Sequence, residues 1–204
     1  MKTISQLIIT MMICLFSIQT WAQSGKLFNT DNQLSSNLAT QVFQDKSGFI
    51  WIATRNGLNT YDGYHITVIK KDMSFFLGLN SNYINSIAQD EKEHILLGTN
   101  NSLLEFTGSE FLKIPMLDSK GEKLATYVKQ VYPLKNKDVA VATSGYGIML
   151  KKQDEQKCHA MKGEVEKLKY IHKLLEDKRG RLWIITEDGK LYRKETNGRV
   201  TSHF

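Results

Sequence analysis

Proline is almost missing from this chain, with two in 204 residues, and no low-complexity tract interrupts it. A Pro-rich linker or a disordered tail is therefore excluded. Cysteine is as scarce: Cys14 and Cys158 are the only two, too few for a disulfide framework. The five histidines (His65, His94, His159, His172 and His203) are scattered singly. Metal sites need three or four converging ligands, so the adjacent Cys158 and His159 do not make one, and no metal or cofactor is expected. Neither a nucleophile elbow nor a zinc motif is present. The formal charge is +6, but the lysines are spread, with one modest cluster at Lys162, Lys167, Lys169 and Lys173. No basic stripe interleaved with aromatics marks a nucleic-acid surface.

One long apolar run is present, at the N-terminus. Lys2 precedes an apolar stretch from Leu7 to Ile18, and the segment closes on Gln19-Thr20-Trp21-Ala22. This is the pattern of a signal peptide over residues 1–22, cleaved after Ala22. The run is short for a bilayer span, although a retained anchor is the alternative. Cys14 lies inside the run rather than after it, which argues against a lipoprotein. The mature chain is expected to be exported, to keep Cys158 alone, and to have no membrane span.

Beyond residue 22 the chain repeats itself. QDKSGFIWIATRNGLNTYDG (44–63) and EDKRGRLWIITEDGKLYRK (176–194) are nearly one phrase. Strand-like runs end at Thr54, Thr99, Thr143 and Thr186, spaced by 45, 44 and 43 residues. Nine residues before each threonine stand Asp45, Asp90, Leu134 and Asp177. The third copy is degenerate, lacking both the acidic turn residue and the tryptophan that Trp51 and Trp183 represent.

Each copy divides into four short runs rich in Ile, Val, Tyr, Phe and Trp, separated by turns with Gly, Asn and Asp. In the first they are 39–45, 49–54, 58–62 and 66–71. A four-stranded unit recurring every 40–50 residues predicts an all-β fold, a β-propeller of antiparallel blades. The expected blades are 34–78, 79–123, 124–166 and 167–204, with a strand segment at 23–33 (KLFNT, 26–30) before them. Residues 162–178 also carry helical spacing, read as a short helix before a strand. The repeated aspartate is expected to cap its turn and the tryptophans to pack between blades.

The string LSSNLATQVFQDKSGFIWIATRNGLNTYDGYHITVI (34–69) resembles a two-component regulator propeller repeat. That pattern runs from an L-S-x-N opening through D-x-x-G and a W-I-G-T-like strand to G-L-x-x-Y-D. Ala53 replaces the usual glycine, which the second copy restores as Gly98, and that copy opens with LNSN (79–82). The resemblance covers nearly all of 26–204. It implies the periplasmic sensor region of a hybrid two-component histidine kinase of the kind found in gut Bacteroides-like bacteria. Such proteins have two seven-bladed propellers, a sandwich domain, a membrane helix and a cytoplasmic kinase, and detect oligosaccharides. The chain as given holds no kinase region, so it is expected to be a fragment and not an enzyme.

Four blades either close as a small ring or are an arc of a seven-bladed one, and the arc is expected. An arc exposes several hundred Å² of apolar flank on each end blade. At roughly 25 cal/mol per Å² this forfeits several kcal/mol, enough to favour self-association or contact with the remaining blades of a longer chain.

In an up-and-down meander alternate loops share one face. The loops leading into each first strand (Ser36, Asn37; Asn82) then lie beside those between second and third strands (Arg55, Asn56; Asn100, Asn101; Tyr146; Glu187, Asp188). Amides, charges and an aromatic suit an oligosaccharide, although Asn, Gly and Ser also favour turns for their own sake. Two other readings stay open: a secreted propeller enzyme of the lyase or lactonase type, and a scaffold that binds protein by strand addition at a blade edge.

Overall fold

The computed structural model describes residues 25–73 and 78–203; the leader expected over 1–22 lies outside them. The first sheet holds β1 (Ala39–Gln44), β2 (Ile50–Thr54), β3 (Gly57–Tyr61) and β4 (Ile66–Ile69). The second holds β5 (Ile84–Gln89), β6 (Ile95–Thr99), β7 (Leu103–Phe106) and β8 (Phe111–Ile114). Next come β9 (Met116–Leu117), β10 (Lys123–Leu124), β11 (Tyr127–Pro133), β12 (Val139–Ser144), β13 (Ile148–Lys151) and β14 (Cys158–Ala160). The last sheet holds β15 (Ile171–Glu176), β16 (Leu182–Thr186), β17 (Leu191–Lys194) and β18 (Val200–Ser202). Sheets one, two and four are antiparallel meanders in chain order, the blades of a β-propeller.

The third sheet has six strands, in the order β10-β9-β14-β13-β12-β11. The run expected as one outer strand, 111–116, breaks at Pro115, which has no N–H to continue the ladder. The chain then crosses to the next blade, where β9 lies parallel to β14 and Cys158 N donates to Pro115 O at 2.8 Å. The second blade thus ends at Ile114, not at 123. One further expectation is corrected, and one holds. Residues 26–30 form no strand. Asn29 instead caps a 3₁₀ turn at Thr30–Asn32, and Phe28 packs edge-on against Tyr61. Within 162–178 a short 3₁₀ helix, Glu164–Lys167, precedes β15, as the spacing predicts.

The periodic threonines have a local cause. Each closes the turn between second and third strands by donating its hydroxyl to a backbone carbonyl. The pairs are Thr54 to Gly57 (2.7 Å), Thr99 to Ser102 (3.0 Å), Thr143 to Gly147 (2.7 Å) and Thr186 to Lys190 (3.1 Å). The aspartates do the same for the first hairpin. One oxygen of Asp45, Asp90 or Asp177 accepts backbone N–H groups of the turn, as an Asx cap should. In blades one and four the other oxygen takes the indole N–H of Trp51 (2.7 Å) or Trp183 (3.0 Å).

Alternating side chains of the strands in the inner two blades serve two cores. Ile95 and Leu97 of β6 face blade one, where they meet Trp51, Ala53 and Leu58. Their neighbour Leu96 faces blade three, against Val128, Val139 and Met149. A third core joins blades three and four through Ala140, Ala142, Ile171 and Ile184. Among the described residues no strand pairing or buried cluster joins blade four to blade one. The four blades form an arc, and Val42 on one flank and Leu175 and Ile185 on the other stay exposed. Trp51 packs between blades as expected, edge-on to Phe106. Trp183, on the open flank, lies between the Arg181 and Arg193 guanidiniums and near His203.

The inner strands are also stapled by polar groups. Each first strand carries a bulge, at 39/41, 84/86, 128/130 and 171/173. A bulge re-aims a side chain, and here it points at the next blade. Gln41 donates to Ile87 O (2.8 Å) and accepts from Ile87 N (2.9 Å). Ser86 accepts from Val131 N (3.0 Å), and Gln130 from Leu174 N (2.7 Å).

Two outcomes test this packing. A Cβ on Gly98 would lie 2.5 Å from Val128 Cγ1. Gly98→Ala should therefore cost about 1–3 kcal/mol in urea unfolding, and adding Val128→Ala should recover part of it. A stable single variant would refute close blade contact there. For Asp177, burial pushes the carboxyl up, but the bonds from Trp183, Arg181 and Arg179 outweigh it and hold the pKa well below the usual range. A depressed folded pKa stabilises above the unfolded value of about 3.9 and is lost as pH falls below it. Asp177→Asn should flatten the fall in stability below about pH 4; an unchanged acid limb would count against the cap.

Candidate functional site

The loops that lead into first strands and those between second and third strands interlock. Gly57 N donates to Asn82 O of the next blade (2.7 Å), and Gly145 N and Gly147 N both donate to Lys169 O of the next (2.8 Å each). Within blades, Arg55 N reaches Leu38 O and Glu187 N reaches Tyr170 O. This end of the arc is one continuous surface.

Along its inner rim a row of side chains crosses all four blades. The Arg55 guanidinium lies over the Tyr83 ring at 5.7 Å, and Tyr83 meets Tyr127 edge-on with centroids 6.1 Å apart. Lys129 sits over the Tyr127 ring at 4.5 Å and pairs with Glu187 at 3.3 Å. The Tyr127 hydroxyl donates to Asn85 Oδ1 (2.9 Å), and Asn85 Nδ2 reaches across to Val128 O (2.9 Å). Burial, then the neighbouring Tyr83 hydroxyl, pushes the Tyr127 pKa up to about 12. Two partly buried rings flanked by a cation at each end form a surface suited to stacking and hydrogen bonding.

Residues 33–56, 78–101 and 167–188 match the two component regulator propeller family. Three of the four blades thus carry a segment similar to a two component regulator propeller repeat, from the loop before the first strand to the turn after the second. The degenerate third copy escapes the match. No curated protein sequence matches the chain. Among solved structures it is similar to an extracellular domain attributed to a hybrid two component system of B. thetaiotaomicron. That match has a TM-score of 0.68 and 17% identity, and covers 82% of this chain and 25% of that one. A second extracellular domain of that kind, from the same organism, gives 0.52 and 16%, covering 87% and 31%. A catalytically inactive virginiamycin B lyase from Staphylococcus aureus with quinupristin gives 0.65 and 12%, covering 89% and 60%. At these identities the likeness is one of fold. The propeller repeats span about a quarter to a third of the extracellular domains they resemble. No described helix is long and apolar enough to cross a membrane.

The repeat loops use many of the residues singled out in the sequence for their own turns. Ser36 Oγ accepts Leu38 N, and Asn37 accepts Thr30 N and donates to Thr30 Oγ1. Asn82 Oδ1 accepts Lys71 N, Asn100 Oδ1 accepts the Ser81 hydroxyl, and Asn101 Oδ1 accepts that of Thr99. Asp188 takes the Thr186 hydroxyl and pairs with Lys190, contacts that lower its pKa to about 2. Arg55 and Glu187 end the rim row, while Asn56 and Tyr146 are exposed. Tyr146 lines a cleft of about 300 Å³, and Glu187 and Asp188 line another of about 610 Å³ with Tyr170.

Tyr83, Tyr127 and Lys129 are absent from that sequence-based set. Their signal was the period: Leu38, Tyr83, Tyr127 and Tyr170 each stand sixteen residues before the repeat threonine. Cys158 is inert, fully buried in the core between blades two and three, with burial pushing its thiol up to about 12. In a spectrophotometric titration, one tyrosine should ionise near 12, and Tyr127→Phe should remove that late component. Its persistence in the variant would place the shifted tyrosine elsewhere.

Proposed function

We propose that this chain is part of the exported ligand-sensing propeller of a two-component signalling protein, and that its signal is an oligosaccharide. The observation that carries the reading is the row Arg55, Tyr83, Tyr127, Lys129 and Glu187, which runs across blade boundaries on one rim. Tyrosine rings offer apolar faces to sugar rings, and the cations, amides and carboxylate offer partners to hydroxyl groups. A ligand lying along the row would touch three or four blades at once. Its binding energy would then depend on how the blades are set relative to one another, which is what a sensor must transmit.

The repeat family and the fold shared with sensor extracellular domains support this reading and also support export to the periplasm. The enzyme reading draws on the fold shared with a lyase, whereas the paired rings of the rim row favour binding by stacking. Binding without turnover is the expected behaviour.

Calorimetric screening of an oligosaccharide panel against the purified chain tests this. A binding member should lose about two- to tenfold in affinity with Tyr83→Ala or Tyr127→Ala, since stacked aromatic contacts are worth about 0.5–1.5 kcal/mol. The sugar should be recovered unchanged. Cleavage or elimination of the sugar would replace the sensor with the enzyme reading. Binding indifferent to both tyrosines would move the site off the rim.

A further inference from the structure

We propose that blade two holds a divalent transition-metal site formed by Asp90, His94 and Glu105, at the end of the arc opposite the rim row. Asp90 follows β5, His94 precedes β6 and Glu105 lies in β7. One ligand atom from each lies within 4.8 Å of the other two. His94 Nδ1 is 3.5 Å from Asp90 Oδ2 and 2.5 Å from Glu105 Oε1. Asp90 is 6% and Glu105 4% exposed, whereas the His94 side chain is 34% exposed and leaves a way in.

The repeat itself is the control. In blades one and four the free oxygen of the turn aspartate takes an indole N–H, from Trp51 or Trp183. Blade two has Leu96 at that position, so the Asp90 oxygen has no such donor. At the position of His94 the other matched blades carry Phe49 and Arg181, and at that of Glu105, opposite Leu96 on the next strand, the other three carry Thr60, Leu150 and Arg193. Three positions that meet in space depart from the repeat in the same blade, and two of the departures bring in metal-ligand atoms.

The charges point the same way. In blade four Arg181 gives Asp177 a full positive partner at 2.7 Å. In blade two, two buried carboxylates face one imidazole, and His94 is the sole polar partner of the Glu105 side chain among the described residues. His94 Nδ1 itself has no hydrogen bond of good geometry. The nearby lysines are engaged outside, Lys46 with Glu93 and Lys92 with Asp154. A buried carboxylate without a compensating cation is costly, and a divalent ion would satisfy both. The bonds from Lys92 N and His94 N to Asp90 Oδ1 (2.9 Å each) already fix that carboxylate, as outer partners of metal ligands do. With zinc–ligand distances of about 2.0–2.2 Å, tetrahedral donors stand roughly 3.4 Å apart. The His94–Asp90 spacing fits, and the Glu105 carboxylate would have to swing out by about 1 Å. Water would complete the shell, and the ion would tie the first hairpin to β7.

The test is calorimetric titration of the chelator-stripped full chain with Zn²⁺, with the visible spectrum of the Co²⁺ form as a report on coordination. One equivalent should bind and raise the melting temperature. The variants His94→Phe and Glu105→Thr, each carrying the blade-one residue, should bind at least about tenfold more weakly and lose the thermal shift. His159→Ala should behave as the parent. Equal Zn²⁺ binding by parent, H94F and E105T would overturn the proposal, as would a folded parent that binds none.

Discussion

The arrangement of this protein depends on one polar contact made three times, the reach of a bulged inner strand to the backbone of the next blade. Gln41, Ser86 and Gln130 occupy this position and bond Ile87, Val131 and Leu174. Hydrophobic packing between sheets is non-directional and would tolerate sliding. The bonds from the bulges are directional, and each also satisfies a backbone N–H of a first strand that lies at the edge of its sheet. They set the stagger of the blades, and the stagger brings Tyr83, Tyr127 and Lys129 into one row.

The position facing the next blade on second strands shows how far that fit extends. It reads Ala53, Gly98, Ala142 and Ile185 along the chain. The first three are fully or closely covered by a neighbouring blade, and Gly98 has no room for a Cβ. Ile185, the large one, lies on the flank that no described blade covers and is 40% exposed. Side-chain volume here follows the gap between sheets, as dense interior packing requires.

The two ends of the arc have diverged from the same repeat in different ways. At the rim, substitutions in the leading loops and first strands gather rings and cations, while the turn asparagines remain structural. At the opposite end, blade two alone replaces a neutral indole donor with an imidazole and a second carboxylate. Both departures arise where the repeat's own hydrogen bonding leaves a side chain free to change. Blade three, which lost its aspartate and tryptophan, instead accepted two extra strands after Pro115.

The blade plan was legible in the sequence because it is local. Strand alternation, the glycine turns, the capping aspartate and the turn-closing threonine each act within about a dozen residues, and each recurs with the period. Period-two alternation puts Leu96 and Leu97 on opposite faces, and the stacking of blades gives each face its own core. What only the tertiary structure decided depends on contacts across some forty residues. Pro115 moves the chain between blades because an open edge at β14 is there to receive β9. The segment 26–30 adds no strand and instead leads into a capped turn, with Phe28 packed on Tyr61. Asn37, Asn82 and Asn101 look like ligand contacts in a list of polar loop residues, yet backbone groups and hydroxyls elsewhere had already claimed them. Asp90, His94 and Glu105 look unrelated along the chain, and meet because a hairpin folds β7 back beside the turn that precedes β6.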